Sequence, residues 1–395
     1  MIDIFDDEID KEKYIVCTYI MKSKTTLSEA AWNLAVGQSI GNPSIRNKWE
    51  TDELLHAHAC FILSDMEYLV NNTFGEVKIA FPIKNIDIKT DGISQLLCHV
   101  MGGQVDIDII EECSLIDIEF PNEILSAFSG PRYGLAGMRK YTNTYNKPLL
   151  GAIIKPKVGL SQHDLLEIVM ELVDGGVNFI KEDEILSSPL YCPLEQRISK
   201  IGKYVQDNNV IYSACINSDP AYILDRARAV YNAGGNGVHI NVWSGLGAYK
   251  SVRELNLPLF IHFQRSGDRV FTNSSNSFSI SWSVICYLAG LMGVDSIHAG
   301  MSGGYMTQDK DNSLSDIMDI LDINNVTPAL SCGMHPGLVE SIRAEYGNDW
   351  MANVGGAIHG HPSGTRAGAL AMRQAIDKTG GAEYEAAILK WGLVK

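Results

Sequence analysis

Residues 151–184 read GAIIKPKVGLSQHDLLEIVMELVDGGVNFIKEDE. Ala152, Ile153 and Ile154 form a short apolar run that stops at Lys155-Pro156-Lys157. From Asp164 to Val173 the apolar positions 165, 166, 168, 169, 170, 172 and 173 predict a buried helix. Gly175-Gly176 ends that helix, and Val177 to Ile180 reads as a second buried strand. Both strands end in charge: Lys155 and Lys157 after the first, then Lys181, Asp183 and Glu184 after the second. In parallel α/β architectures chemistry collects at the carboxyl ends of strands. A charge run at one strand end is as often a solvated edge as a site. Two neighbouring strands delivering three lysines and two acids to one rim are a site in outline.

The same alternation continues downstream. Strand-like runs occupy 149–155, 177–181, 209–216, 237–242, 258–262, 294–298, 327–332 and 350–354, with helical stretches at 193–206, 219–233, 276–292, 336–346 and 364–377. Eight such units fit a (β/α)8 barrel, whose typical length is about 250 residues. Upstream the rhythm is irregular. Strands are expected at Tyr14–Met21, Ala59–Ser64, Val77–Pro82 and Cys113–Phe120, and helices at Leu27–Val36 and Ile93–Met101. Residues 121–148 carry several breakers and little periodicity. The expected architecture is α/β: a C-terminal (β/α)8 TIM barrel over 149–395, preceded by a smaller α+β, ferredoxin-like N-terminal domain over 1–125, with 126–148 as linker.

Composition bounds the partners. The chain has 395 residues, 46% of them hydrophobic and 20% charged, which suits a globular protein with a large core. A formal net charge of −15 argues against nucleic acid or an anionic membrane surface as partner. An anionic substrate then needs a local cationic pocket, which Lys155 and Lys157 can supply. The eight cysteines show no CxxC pairing and several lie in apolar runs, as reduced core residues do. The acidic start, MIDIFDDEIDKEKY, lacks a signal-peptide core, and no apolar run is long enough to cross a bilayer. The expected compartment is the cytoplasm.

In a barrel, the residues just after each strand form one rim. Strand three gives Asn217, strand four Asn241 and Trp243, and strand five ends at His262, followed by Arg265 and Arg269. Strand six ends at His298, strand seven at Ser331-Cys332-Gly333, and strand eight at Gly355-Gly356. Glycines after strands seven and eight let backbone N–H groups approach a phosphate. His335, His359 and His361 fall in turns and helix starts and are read as structural.

Lys-Pro-Lys followed by Gly-Leu-Ser, and then Gly-Gly-x-x-Phe-x-Lys-x-Asp-Glu, resembles the active-site core of the RuBisCO large subunit. The resemblance spans most of 130–380 and is weaker upstream. It implies that Lys181 takes up CO₂ as a carbamate and binds Mg²⁺ together with Asp183 and Glu184. The chemistry is reasonable by itself: carbamylation turns an amine into an oxygen-donor anion, and three oxygen ligands leave room for substrate and water around octahedral Mg²⁺. The resemblance further implies catalytic roles for Lys155, Lys157, Lys181 and His262. It implies substrate or phosphate binding by His298, Ser331, Gly333, Gly355 and Gly356. It also implies a homodimer in which the N-terminal domain of one subunit covers the other's rim, here through the Gln38–Asn42 loop and around His99.

Several departures narrow the function. The loop after strand six, Met301 to Met306, lacks the lysine that carboxylating members use for CO₂, and Lys310 is too far along to match. Phe263 follows His262 where the family has a phosphate-gripping arginine, and Arg265 would point elsewhere on a regular backbone. Gln38 stands for a glutamate, no Thr-Trp pair follows it, and His99 stands for an asparagine over the metal. What remains is an enolisation device: Mg²⁺ polarises a carbonyl and stabilises an enediolate while a base moves a proton. The chain is therefore identified with the non-carboxylating RuBisCO-like branch. The expected reaction is enolisation or decarboxylation of a singly phosphorylated keto sugar or keto sugar acid. Alternatives are the diketo-methylthiopentyl-phosphate enolase or methylthioribulose-phosphate isomerase of methionine salvage, a true ribulose-bisphosphate carboxylase, and a catalytically silent binding protein.

Overall fold

The structure is a computed structural model that describes residues 4–6, 9–41, 47–304 and 313–394. Expectations placed on Asn42, on the loop from 305 and on Lys310 lie outside the described residues. In chain order the strands are β1 (Tyr14–Ser23), β2 (Phe61–Ile62), β3 (Phe74–Pro82), β4 (Ile110–Glu119), β5 (Leu149–Ile153), β6 (Phe179–Lys181) and β7 (Ile211–Cys215). They continue with β8 (Gly237–Asn241), β9 (Phe260–Gln264), β10 (Phe278–Ile280), β11 (Ser296–Gly300), β12 (Thr327–Leu330) and β13 (Met351–Val354). No helix among the described residues is long and apolar enough to cross a membrane.

The chain forms two compact units. The first contains residues up to 129 together with 268–288, and it is built on a five-stranded sheet in the order β10-β4-β1-β3-β2. β1 lies antiparallel between β3 and β4, and β10 adds parallel to the edge of β4. The expected helices appear as Leu27–Gly37, capped by the Thr26 side chain on Glu29 N–H, and Gly92–Val100. Thr26, with Glu29 three residues on, has the spacing of a helix start, and Leu27, Ala30, Ala31 and Leu34 bury the inward stripe.

The second unit contains the closed barrel β11-β12-β13-β5-β6-β7-β8-β9, all parallel between neighbours. Its floor is the cluster Met138, Leu149, Phe179, Ile211, Phe260, Ala329 and Met351. Five of these are the first residues of their strands. Each such side chain contributes roughly 1.5–3 kcal/mol on burial. The β5–β6 connection is the helix Gln162–Asp174, opened by a reciprocal capping box between Ser161 and Asp164.

Three expectations need correction. The segment 126–148 is not simply a linker. It holds the helix Gly134–Thr142, whose Met138 packs into the barrel floor with Tyr133, Leu135 and Tyr141 around it. The helix expected over 276–292 begins only at Trp282, because Phe278–Ile280 pairs with β4 of the first unit. Strand five runs over Phe260–Gln264, two residues later than expected. Pro258 has no N–H to give a ladder, so pairing with β8 starts at Phe260 on Gly237.

Candidate active site at the barrel rim

Successive residues of a strand face opposite sides, and at the end of β6 this alternation separates two chemistries. Glu182 faces away from the lumen. Its carboxylate accepts from Arg197 Nε (2.6 Å) and Nη2 (2.8 Å), from the Tyr212 hydroxyl (2.8 Å) and from Cys215 N–H (2.7 Å). A buried carboxylate with four donors is fully compensated, and it pins the strand end in place.

Lys181 and Asp183 face inward, and both are buried, with 0% and 2% exposure. Lys181 Nζ donates to the Glu182 carbonyl at 2.9 Å and to Glu184 Oε2 at 3.2 Å. Lys155 Nζ lies 2.6 Å from Asp183 Oδ2, with Lys157 Nζ at 3.9 Å. The structure thus brings together all five charged residues that the sequence put at this rim. For Glu184, burial alone would raise the carboxyl pKa. The Lys181 charge and the hydrogen bonds from Ser266 and Lys181 outweigh it, so the group lies well below the usual carboxylate range.

With a carbamate on Lys181 the donor chemistry would fit a divalent cation. Ammonium groups occupy both inward carboxylates, where a cation would sit. The described residues contain no cluster of three His, Cys, Asp or Glu that could hold a metal. Two carboxylates alone are a sparse set, and a carbamate on Lys181 would supply a third oxygen donor.

Beneath and beside this cluster are three imidazoles from neighbouring strands. His239, His262 and His298 are all buried, and burial, followed by the nearby positive charge or imidazoles, drives each below its ordinary value, His298 to about 3. They are therefore neutral at physiological pH. His262 does not occupy the strand end. Its Nδ1 pairs with Ser296 Oγ at 2.8 Å, and its ring packs against Phe179 of the floor cluster and edge-on to His298. The residue that ends β9 on the same face is Gln264.

Phe263 faces outward and stacks on Tyr249 with centroids 4.5 Å apart. Arg265 does not point away as a regular strand would require. β9 ends at Gln264, and the Arg265 guanidinium turns towards β11, donating to Ala299 O at 3.1 Å and adding positive charge near His298.

Two functional candidates went unread in the sequence, Gln264 and Ser266. Gln264 Nε2 donates to Ser266 Oγ (2.6 Å), and Ser266 Oγ donates to Glu184 Oε1 (2.6 Å). Asn241 Nδ2 bonds Ser266 O at 2.9 Å, and Asn217 Nδ2 bonds Glu184 O at 2.7 Å. An amide belt from β7, β8 and β9 therefore fastens Glu184. The available signal was the even spacing of polar residues 262, 264 and 266.

Elsewhere on the same rim, Ser331 is buried and Gly333 has φ +109°, a conformation natural to glycine. A Cβ on Gly355 would come within 3.3 Å of Lys155 Cε, whereas none of the described residues lies within 4 Å of one on Gly356. Lys155 thus passes directly over Gly355, beside an open backbone. Asn353 Nδ2 pairs with His298 Nε2 at 2.7 Å. His335 accepts from Gly337 N–H, and His361 contacts Glu383 O and Ser363 N–H, so both serve turns. In the first unit, Gln38 spends both N–H groups on the carbonyls of Cys98 and His99, and its Oε1 accepts from Gln104 N–H. Its amide fastens a helix end, which leaves one Oε1 lone pair for other use. His99 is half-buried and lines a small cleft with Ile15, Phe81, Pro82 and Leu96.

Comparison with known proteins matches nearly the whole chain. Residues 134–388 match the RuBisCO large-chain catalytic-domain model, and residues 5–124 match the N-terminal-domain model. The chain is 31% identical to a ribulose bisphosphate carboxylase of Pyrococcus furiosus, covering 98% of this chain and 96% of that protein. It is 29% identical to a 2,3-diketo-5-methylthiopentyl-1-phosphate enolase of Geobacillus kaustophilus, covering 96% and 98%. The crystal structure of the octameric Pyrococcus horikoshii RuBisCO in complex with sulfate superposes with TM-score 0.87 at 26% identity, covering 100% of this chain and 97% of that one. With both domains matched, the chain belongs to the RuBisCO large-chain family.

Proposed function

We propose that the chain binds a phosphorylated keto sugar or keto sugar acid at the barrel rim and catalyses its enolisation or decarboxylation rather than CO₂ fixation. The observation that carries this reading is the inward cluster, in which fully buried Lys181 shares Glu184 while Lys155 shares Asp183. When bound, Mg²⁺ supplies a Lewis acid for a substrate carbonyl. The chain's own residues do the rest. Lys155 and Lys157 place positive charge where the substrate gains negative charge, and the neutral imidazoles leave that charge unopposed. Ser331 offers a hydroxyl, and Gly333, Gly355 and Gly356 offer backbone N–H groups, to a phosphate. The only lysine between Gly300 and Ser313 is Lys310, which speaks against a CO₂-holding loop.

The test is exchange of substrate protons with D₂O, followed by NMR. Candidate substrates are ribulose 5-phosphate and the diketo phosphate that names the Geobacillus enolase. Exchange that needs both Mg²⁺ and bicarbonate supports the reading. No exchange with either compound, from protein shown to bind Mg²⁺, overturns enolisation of these substrates.

A second reading has a specific observation behind it. Arg265 beside His298 adds a cation on the far side of the lumen from Lys155, as a bisphosphate would require. Labelled CO₂ with ribulose bisphosphate separates the two: the proposal expects no fixation, and turnover like that of a carboxylase would replace it. We further infer a homodimer with a shared rim. Mixing Lys181→Ala protein with a His99 variant should restore partial activity if the sites are shared.

A further inference from the structure

The Glu184 carboxylate is held asymmetrically. Oε2 faces Lys181, the residue proposed to change chemistry, whereas Oε1 accepts from Ser266 Oγ at 2.6 Å. An ionised carboxylate has no hydrogen to give, so the hydrogen in the Ser266–Glu184 bond belongs to the serine. Ser266 Oγ then has only lone pairs left, so the Gln264 atom 2.6 Å from it is the amide nitrogen. That fixes the amide's direction and leaves Gln264 Oε1 buried without a hydrogen-bond partner among the described residues, on a residue only 3% exposed. The relay Gln264 to Ser266 to Glu184 thus keeps its direction even though an acceptor goes unmet. Asn241 holds the Ser266 backbone from the neighbouring strand.

We propose that Ser266, oriented by Gln264, is a positioning residue that holds Glu184 one-handed, with Oε1 restrained and only Oε2, on the Lys181 side, left to meet a cation once Lys181 is carbamylated, so that the site selects a small octahedral ion over a larger one. This deepens the proposed function and rests on its cation reading. Mg²⁺ demands near-ideal six-coordination, which single carboxylate oxygens serve. Ca²⁺ takes six to eight oxygens and accepts two from one carboxylate. A Glu184 released from Ser266 can swing to offer both oxygens.

The experiment measures cation binding rather than turnover. Mn²⁺ is titrated into the full chain in bicarbonate buffer, free Mn²⁺ is followed by EPR, and Mg²⁺ or Ca²⁺ competes it off. In Ser266→Ala, Mg²⁺ affinity is expected to fall about tenfold or more, the range for loss of such an outer partner. Ca²⁺ affinity should fall less, moving the Mg²⁺/Ca²⁺ ratio toward Ca²⁺. Ser266→Thr, which keeps the hydroxyl, should restore the ratio, and Gln264→Leu should shift it in the same direction by less. Equal loss for both ions, or affinities within about twofold of wild type, overturns the proposal while leaving the cation site standing. Failure of the wild-type chain to bind Mn²⁺ overturns the cation reading and this proposal with it.

Discussion

The two faces of the β6 strand end teach opposite lessons from adjacent residues. Behind the strand, Glu182 meets Arg197, Tyr212 and Cys215, and every carboxylate oxygen is satisfied within the protein. In front, Asp183 and Glu184 meet lysines that also carry the proposed chemistry. One face is closed and mechanical, and the other stays exchangeable. On the proposed reading, a rim that exchanges cations needs a fixed backbone behind it. If the front face carries the proposed chemistry, the back face serves it as well, since a site loose by about an ångström can lose much of its rate.

Breaking the front face should have the largest effect. Lys181→Ala is expected to lower Mg²⁺-dependent proton exchange by at least about 10²–10³-fold, with the far-UV circular dichroism unchanged. Wild-type exchange rates in this variant would remove the front face from the chemistry. Breaking the back face should cost stability instead. Arg197→Met leaves Glu182 buried without its ion partner, and urea unfolding should show a loss of about 3–5 kcal/mol. Replacing both partners by apolar residues should recover part of it, and a single-variant loss below about 1 kcal/mol would deny the brace.

The neutral imidazoles sharpen the comparison through pH. Burial holds His298 at about 3 against an ordinary 6.5, so between those values the unfolded chain binds a proton that the folded chain refuses. The stabilisation is complete above pH 6.5 and is lost as pH falls through the window, by up to about 1.4 kcal/mol per pH unit for one such group. His298→Asn should flatten that acid slope in denaturant titrations, and an unchanged slope would mean that His298 is not held neutral.

The smallest effect is expected on β9, where the same front-to-back division recurs. Phe263→Leu removes the outward stack on Tyr249 and should cost about 1 kcal/mol, with cation binding unaltered. A change in Mn²⁺ affinity would show that the outward layer reaches the lumen.

Much of this was readable beforehand for local reasons. The apolar run before Lys155-Pro156-Lys157, the helix after Ser161 and the charges after Ile180 each follow from periodicity and capping, and they appear where expected. The end of strand five is not legible locally, because Leu259 to Phe263 is apolar except for one histidine, which looks like a terminus. Only the pairing of Phe260 with Gly237 shows that the histidine is inside. The Gly134–Thr142 helix is masked by the breakers around it, although Leu135, Met138 and Tyr141 recur every three residues. The strand at Phe278–Ile280 had no local signal, since its partner β4 lies more than 150 residues away in sequence.

By itself, then, the sequence determined the eight-fold alternation, the charged ends of β5 and β6 and the family, because these depend on residue type and spacing along one strand. Tertiary structure decided which side chains meet. Barrel closure sets the register between neighbouring strands, and that register buried His262 against Phe179, turned Arg265 toward Ala299 and brought Ser266 to Glu184. Contacts across strands depend on the twist and stagger of a closed sheet, a property of all eight strands together that no single stretch of chain carries.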